Sequence, residues 1–297
     1  MYPAKCAGYE SDRVSAWLIV PVLSVLSGMG AWAGVRHWPR ADLAAAAGGA
    51  VAKELAQSQR VRRFLRSRFD PSLTTGLALT AALAALVVTG SIIGVVVYMV
   101  RTNSGIVSLD VRIARWAADN VDGSSTRALA RITWLGSTPV IVVLGLAGAT
   151  FGIYRYRKSS ILLFLILVVG GQFALMNLIK FTVERARPDI HPSGVFSGSS
   201  FPSGHSTAAA ATFAALALVL GLRSSASLRA VLMGGAVSIA VAVACSRVLL
   251  GVHWFSDAIA GLALGWSWFA FCAVSFGGSL LNFGQPAKEA SAAVPRV

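Results

Sequence analysis

Seven long apolar runs punctuate the chain, at approximately 14–35, 73–100, 136–154, 160–179, 206–222, 230–250 and 255–276. Crossing a bilayer core takes about 20 apolar residues in a helix, and several of these runs reach that length. Each is too long and too evenly apolar for a surface helix of a soluble domain, and a helix satisfies its own backbone hydrogen bonds in lipid. The pattern predicts an all-α, polytopic membrane helical bundle with a six-helix core and an extra N-terminal helix. Two connections are amphipathic. In 106–119, Leu109, Ile113, Trp116 and Ala117 share a helical face, which predicts a helix resting on the outer membrane surface. In 51–69, Val51, Leu55, Val61, Phe64, Leu65 and Phe69 mingle with five arginines. That stretch reads as a helix on the inner surface or as a solvated basic linker.

Composition agrees with the pattern. Hydrophobic residues make up 56% of the 297 positions and charged residues only 13%, with mean hydropathy +0.69. The chain has too little polar sequence for a separate soluble domain. It divides into residues 1–70, an apolar segment with a basic cytoplasmic linker; 71–280, a six-helix membrane domain; and 281–297, a flexible cytoplasmic tail. Net charge is +14. Without a recognised nucleic-acid motif, this charge points to cytoplasmic loops and anionic lipid headgroups rather than to nucleic acid.

The eight Lys and Arg residues of 36–70 place that stretch in the cytoplasm. Alternation then puts Arg155, Arg157, Lys158, Arg223 and Arg229 inside, and turns 101–135, 180–205 and 247–254 outward. Ala31-Trp32-Ala33 resembles a signal cleavage site, but no short basic region adjoins the apolar run. The first segment is therefore read as an uncleaved helix with its N-terminus outside, a re-entrant or interfacial segment being the alternative. Trp134 and Trp254 fit interfacial anchoring. Cys6, Cys245 and Cys272 have no metal or disulfide spacing and read as small packing residues.

The chemistry gathers at outward helix ends, in KFTVERARP (Lys180–Pro188), PSGH (Pro202–His205) and SRVLLGVHWFSD (Ser246–Asp257). Lys180, Arg187 and Arg247 supply fixed cations, as a phosphate or similar oxyanion requires. Ser203, Gly204 and the helix start after them offer a hydroxyl, close backbone approach and free amides for the same anion. His253 and Asp257 are four apart, so on a helix the carboxylate would hold one ring nitrogen and leave the other to attack. His205 could then protonate the leaving oxygen. The residues leave open which histidine attacks, although the carboxylate neighbour favours His253. Glu184, Asp189 and Asp257 are scattered and cation-flanked, so no metal site and no cofactor is assigned.

These stretches carry a family resemblance. Lys180 with Arg187-Pro188, the Pro202–His205 tetrapeptide, and Ser246-Arg247 with His253 and Asp257 resemble, in order, the three motifs of the type 2 phosphatidic acid phosphatase superfamily. The resemblance covers about 73–276 and leaves the first 70 residues unexplained. It implies a metal-independent lipid phosphatase of the plasma membrane. His253 would form a phosphohistidine assisted by Asp257, with His205 as general acid. Lys180, Arg187, Arg247, Ser203 and the Gly204 amide would hold the phosphate. The expected partner is a membrane lipid, foremost a polyprenyl (undecaprenyl-type) diphosphate, with phosphatidic acid and phosphatidylglycerol phosphate as competitors. A phosphotransferase using the same phosphoenzyme is the second reading; a transporter or inactive scaffold fits a complete motif set less well.

Other polar residues are expected to be bland. Arg101 and Arg185 read as helix-end anchors that reach the interface along their stems. Ser203 also reads as a helix cap. Ser246 is divided between a backbone carbonyl and the substrate, and His191 reads as a solvated loop residue. Pro188 and Pro202 set backbone direction, and His37 takes no role.

Overall fold

The structure is a computed structural model that describes residues 19–37, 74–189 and 198–276. Among the described residues it contains α1 (Ile19–His37), α2 (Thr74–Arg101), α3 (Ile106–Asn120), α4 (Gly123–Trp134), α5 (Thr138–Tyr156), α6 (Ser160–Val183), α7 (Gly204–Gly221), α8 (Ala226–Leu249) and α9 (Phe255–Ser275). Among the described residues six stretches, 83–101, 123–156, 160–183, 204–221, 226–249 and 255–275, are long and apolar enough to cross a membrane. The apolar part of α1, Ile19–Gly34, is shorter. The basic stretch 51–69, His191 and the tail from 281 lie outside the described residues.

The expected run at 136–154 appears as α5, but a further helix, α4, precedes it. Asp122 starts α4: its backbone is extended and its carboxylate accepts from Ser125 N at 2.7 Å and Ser124 Oγ at 2.8 Å. These bonds hold the Asp122 carboxyl down at about 2. Ser225 caps α8 in the same manner, accepting from Leu228 N. At the other end of α6, Glu184 adopts a left-handed conformation (φ 47°), which stops the helix and redirects the chain just before Arg185.

Helix α7 is the centre of the bundle. Ser206 through Thr212 are all buried, and the alanines let neighbouring helices come close. A Cβ on Gly265 of α9 would lie 2.7 Å from Ala210 Cβ, and one on Gly261 would lie 2.7 Å from Ser203 O. Glycine at both positions is what lets α9 touch the α7 backbone. Phe164, Leu165 and Val168 of α6 pack with Ala211 and Ala215 of α7 and with Cys272 of α9.

Helix α1 runs antiparallel along α8. Its start, Val20, packs with Leu249 and Leu250. Further along, a Cβ on Gly28 would lie 2.7 Å from Gly234 O, and a Cβ on Gly234 the same distance from Gly28 O. Paired glycines at a helix crossing are a close-approach device of membrane bundles. The beginning of α1 and the end of α8 thus share one end of the bundle, which also holds the start of α7 and the start of α9.

Candidate active site

The three motifs meet at that end. Lys180 sits in the last turn of α6, and Arg187 follows the left-handed turn. His205 occupies the first turn of α7, Arg247 the last turn of α8, and His253 the loop before α9. His205 lies within electrostatic reach of Arg247, His253, Lys180 and Arg187, so these side chains gather near it.

Each cation is held by a different element. Lys180 Nζ donates to Ser199 O at 2.7 Å. Arg187 Nη1 donates to Val252 O at 2.8 Å and lies 3.4 Å from His253 Nε2. Arg247 Nη1 reaches Thr133 Oγ1 of α4 at 3.3 Å. Burial pulls the Arg187 pKa down from its ordinary value, against the opposing charge of Asp257.

His253 is only 3% exposed. Burial pushes its pKa down to about 4, against the upward pull of Asp257, while Arg247 and Arg187 add to the lowering. The ring is therefore neutral at pH 7. Because a guanidinium can only donate, Nε2 beside Arg187 is the lone-pair nitrogen, and the ring proton belongs on Nδ1 facing Asp257. That tautomer leaves Nε2 able to attack an electrophile.

The relation between His253 and Asp257 differs from the expected shared helical face. Helix α9 begins at Phe255, and Trp254 before it is extended (ψ 155°), so His253 precedes the helix. Asp257 is the N3 residue, whose Oδ2 accepts from Trp254 N at 3.0 Å. His253 Nδ1 lies 3.5 Å from the same oxygen, at the outer edge of hydrogen-bond range. The carboxylate therefore caps the helix and faces the imidazole at once.

Arg185 is not a helix-end anchor. Its guanidinium is buried and bonds Asp257 Oδ1 at 2.5 Å, Ser256 Oγ at 2.8 Å and Asp110 Oδ2 at 2.7 Å. The turn at Glu184 breaks the helical path that would have kept it at the lipid interface. Asp110, fully buried on α3, also accepts from Ser256 N at 2.8 Å and Ser256 Oγ at 2.6 Å. Sequence reasoning missed Asp110 altogether. The amphipathic register of α3 was its one available signal, since Ala114 and Ala117 are buried on the same side. Arg101, by contrast, is an exposed tie between helices, donating to Thr182 O at 3.0 Å.

The second motif has its own corrections. Ser203 occupies the N-cap of α7 but makes no side-chain cap bond; its Oγ accepts from Ser206 Oγ at 2.9 Å. A Cβ on Gly204 would meet Met176 Sδ at 2.8 Å, so this glycine also makes room for α6. Gly136, between α4 and α5, carries no motif, yet a Cβ there would lie 2.9 Å from His205 O. Ser246 Oγ donates to Val243 O at 2.7 Å, the backbone role. Trp254 is half-buried: Nε1 donates to Ala186 O at 2.9 Å and the ring lies under Arg185, 5.3 Å from its guanidinium carbon.

The family model described as "PAP2 superfamily" matches residues 161–279, a span holding all three motifs. The chain belongs to the PAP2 superfamily. It is 39% identical over 140 residues to phosphatidylglycerophosphatase B of Bacillus subtilis, covering 45% of this chain and 66% of that protein. It is 40% identical over 118 residues to a lipid A 1-phosphatase of Rhizobium johnstonii, covering 36% and 43% of the respective chains. Over 133 residues it is 40% identical to a decaprenylphosphoryl-5-phosphoribose phosphatase of Mycobacterium tuberculosis, covering 42% and 64%. The matched stretches thus span two thirds or less of these curated relatives. The crystal structure of a transmembrane PAP2 type phosphatidylglycerolphosphate phosphatase from Bacillus subtilis superposes with TM-score 0.59 at 29% identity, covering 65% of this chain and 96% of that one. This chain is an all-helical, multi-pass membrane protein by its own six apolar stretches, and that neighbour is a transmembrane protein. Helix α1 of this chain lies outside the stretch matched by the family model.

Proposed function

We propose that this PAP2 chain is a membrane lipid phosphatase that releases inorganic phosphate through a phosphohistidine on His253. The observation that carries this reading is the neutral, buried imidazole whose Nε2 faces a cluster of cations, with Asp257 on its Nδ1 side. Lys180, Arg187 and Arg247 bind the phosphate oxygens and offset the charge that spreads over them in the transition state. Ser203 and the Gly204 amide at the start of α7 add donors. His253 Nε2 attacks phosphorus, the bond to the leaving oxygen breaks, and His205 delivers a proton to that oxygen. Water then attacks the phosphohistidine, losing a proton to His205, and the P–N bond breaks to give phosphate and free enzyme. No step in this scheme calls on a metal.

The substrate keeps its tails in the bilayer and presents its phosphate at the extracytoplasmic face, as the distribution of Lys and Arg favours. A polyprenyl diphosphate, cleaved to the monophosphate, is the first candidate, and the decaprenyl substrate named for one relative supports that tail. Phosphatidylglycerol phosphate is the second, supported by the names of the Bacillus subtilis phosphatase and of the Bacillus subtilis crystal structure matched above.

Purified protein with EDTA tests the scheme against polyprenyl diphosphate, phosphatidic acid and phosphatidylglycerol phosphate, with and without a lipid acceptor. Release of free phosphate without an acceptor is expected from at least one. Phosphate released only with an acceptor would make it a phosphotransferase, and loss of activity in EDTA would refute metal independence. Intact spheroplasts that leave an externally added substrate untouched would refute the outward orientation.

A further inference from the structure

We propose that Arg185 and Asp110 are positioning residues, which together fix the Asp257 carboxylate behind His253 and make α3 part of the working site. The proposal rests on the reading of His253 as nucleophile. Asp257 is wholly buried and uses both oxygens: Oδ1 accepts from Arg185 Nη1, and Oδ2 accepts from Trp254 N while facing His253 Nδ1. The orientation of the imidazole therefore depends on what holds Oδ1. A guanidinium is a rigid planar fork, so its contacts to two carboxylates set the angle between them. Here one arm of the fork takes Asp257 and Ser256 Oγ, and the other takes Asp110.

The fork is fixed on every side. Arg185 N donates to Ser199 Oγ at 3.1 Å, and Arg185 O accepts from Ser200 N at 2.8 Å. The Trp254 ring covers the guanidinium. Asp110 grips the first turn of α9 through both the amide and the hydroxyl of Ser256, the residue next to Asp257. The turn that carries Asp257 is thus clamped from α3 and from the segment after α6. Lys180, Arg187 and Arg247 are bonded to Ser199 O, Val252 O and Thr133 Oγ1. On the reading proposed above, those three cations serve the phosphate, while Arg185 serves the carboxylate.

The test measures kcat with a short-chain lipid phosphate and Ki for inorganic phosphate, on monodisperse protein in detergent. The variants are Arg185→Lys, Asp110→Asn, Arg185→Met and the double Asp110→Asn/Arg185→Met. Arg185→Lys keeps the charge but loses the fork, and Asp110→Asn loses one end of the clamp. Each should lower kcat by about 10- to 100-fold, the usual cost of losing a group that orients another, with Ki for phosphate within about 3-fold. Arg185→Met should be worse, because it leaves two buried carboxylates facing each other. The double variant removes that conflict and should recover about 10-fold over Arg185→Met.

Where Arg185→Met fails to fold, the Arg185→Lys and Asp110→Asn pair decides. Wild-type kcat in both would overturn the proposal, as would a loss matched by an equal rise in Ki or an equal loss of folded protein. His253→Gln in the same series separates this from the underlying reading. Full activity in that variant overturns the nucleophile assignment and the positioning roles with it. Inactivity there beside wild-type kcat in the Arg185 and Asp110 variants overturns the positioning roles alone.

Discussion

At the scale of single residues, burial and charge set the state of His253. An exposed imidazole titrates near 6.5, but desolvation takes this one to about 4 despite the neighbouring carboxylate. A lowered pKa extends the neutral form to lower pH, so Nε2 stays unprotonated throughout the range in which an ordinary histidine would take up a proton. The acid limb of kcat/KM, which reports the free enzyme, is therefore expected below about pH 5 once the substrate's own ionisation is divided out. A limb near 6.5 would mean that His253 is solvated and that its burial is not a feature of the working enzyme. The charged groups that decide the matter are Asp257, which raises the value, and Arg247 and Arg187, which lower it.

At the scale of elements, the site depends on how closely α9 meets α7. Gly261 lies one helical turn after Asp257, and its missing Cβ makes room for Ser203 O and for Ser206 Cβ, 3.0 Å from where that Cβ would be. Gly261→Ala would push the first turn of α7, which carries His205, away from α9. Overpacking of this kind costs about 1–3 kcal/mol. The expected result is a lower thermal midpoint in detergent together with at least about a tenfold loss of kcat, since small displacements of reacting groups cost heavily. An unchanged midpoint and kcat would show that the helices part without consequence.

The same elements show what could be read from the chain alone. Apolar runs gave the long helices, because lipid imposes a length and composition that a sequence cannot hide. The three motifs were legible because each set of side chains is local. Helix α4 was missed because Gly123–Trp134 mixes Ser, Thr and Arg with few apolar residues, and its start rests on one capping aspartate. Asp110 was missed because its partner Arg185 lies 75 residues away, a relation that no spacing rule records. Arg185 departs from the anchor expected of it, because a charge beside an apolar run usually stays at the interface. Only the left-handed turn at Glu184 sends it inward.

At the scale of the whole molecule, a bundle of long helices brings distant polar residues to one end and keeps the rest in lipid. Helix α1 contributes from outside the family match, backing α8 from Val20 beside Leu249 to the Gly28–Gly234 crossing. That contact supports the helix end that carries Arg247. The reaction proposed for this end has one indispensable intermediate. The most direct measurement is rapid quenching of the first turnover with a substrate labelled with radioactive phosphorus in the transferred group, under alkaline conditions that preserve phosphohistidine. The account predicts label on the peptide containing His253, formed before phosphate is released and lost in His253→Gln. Phosphate release with no protein-bound label, or label on His205, would contradict it.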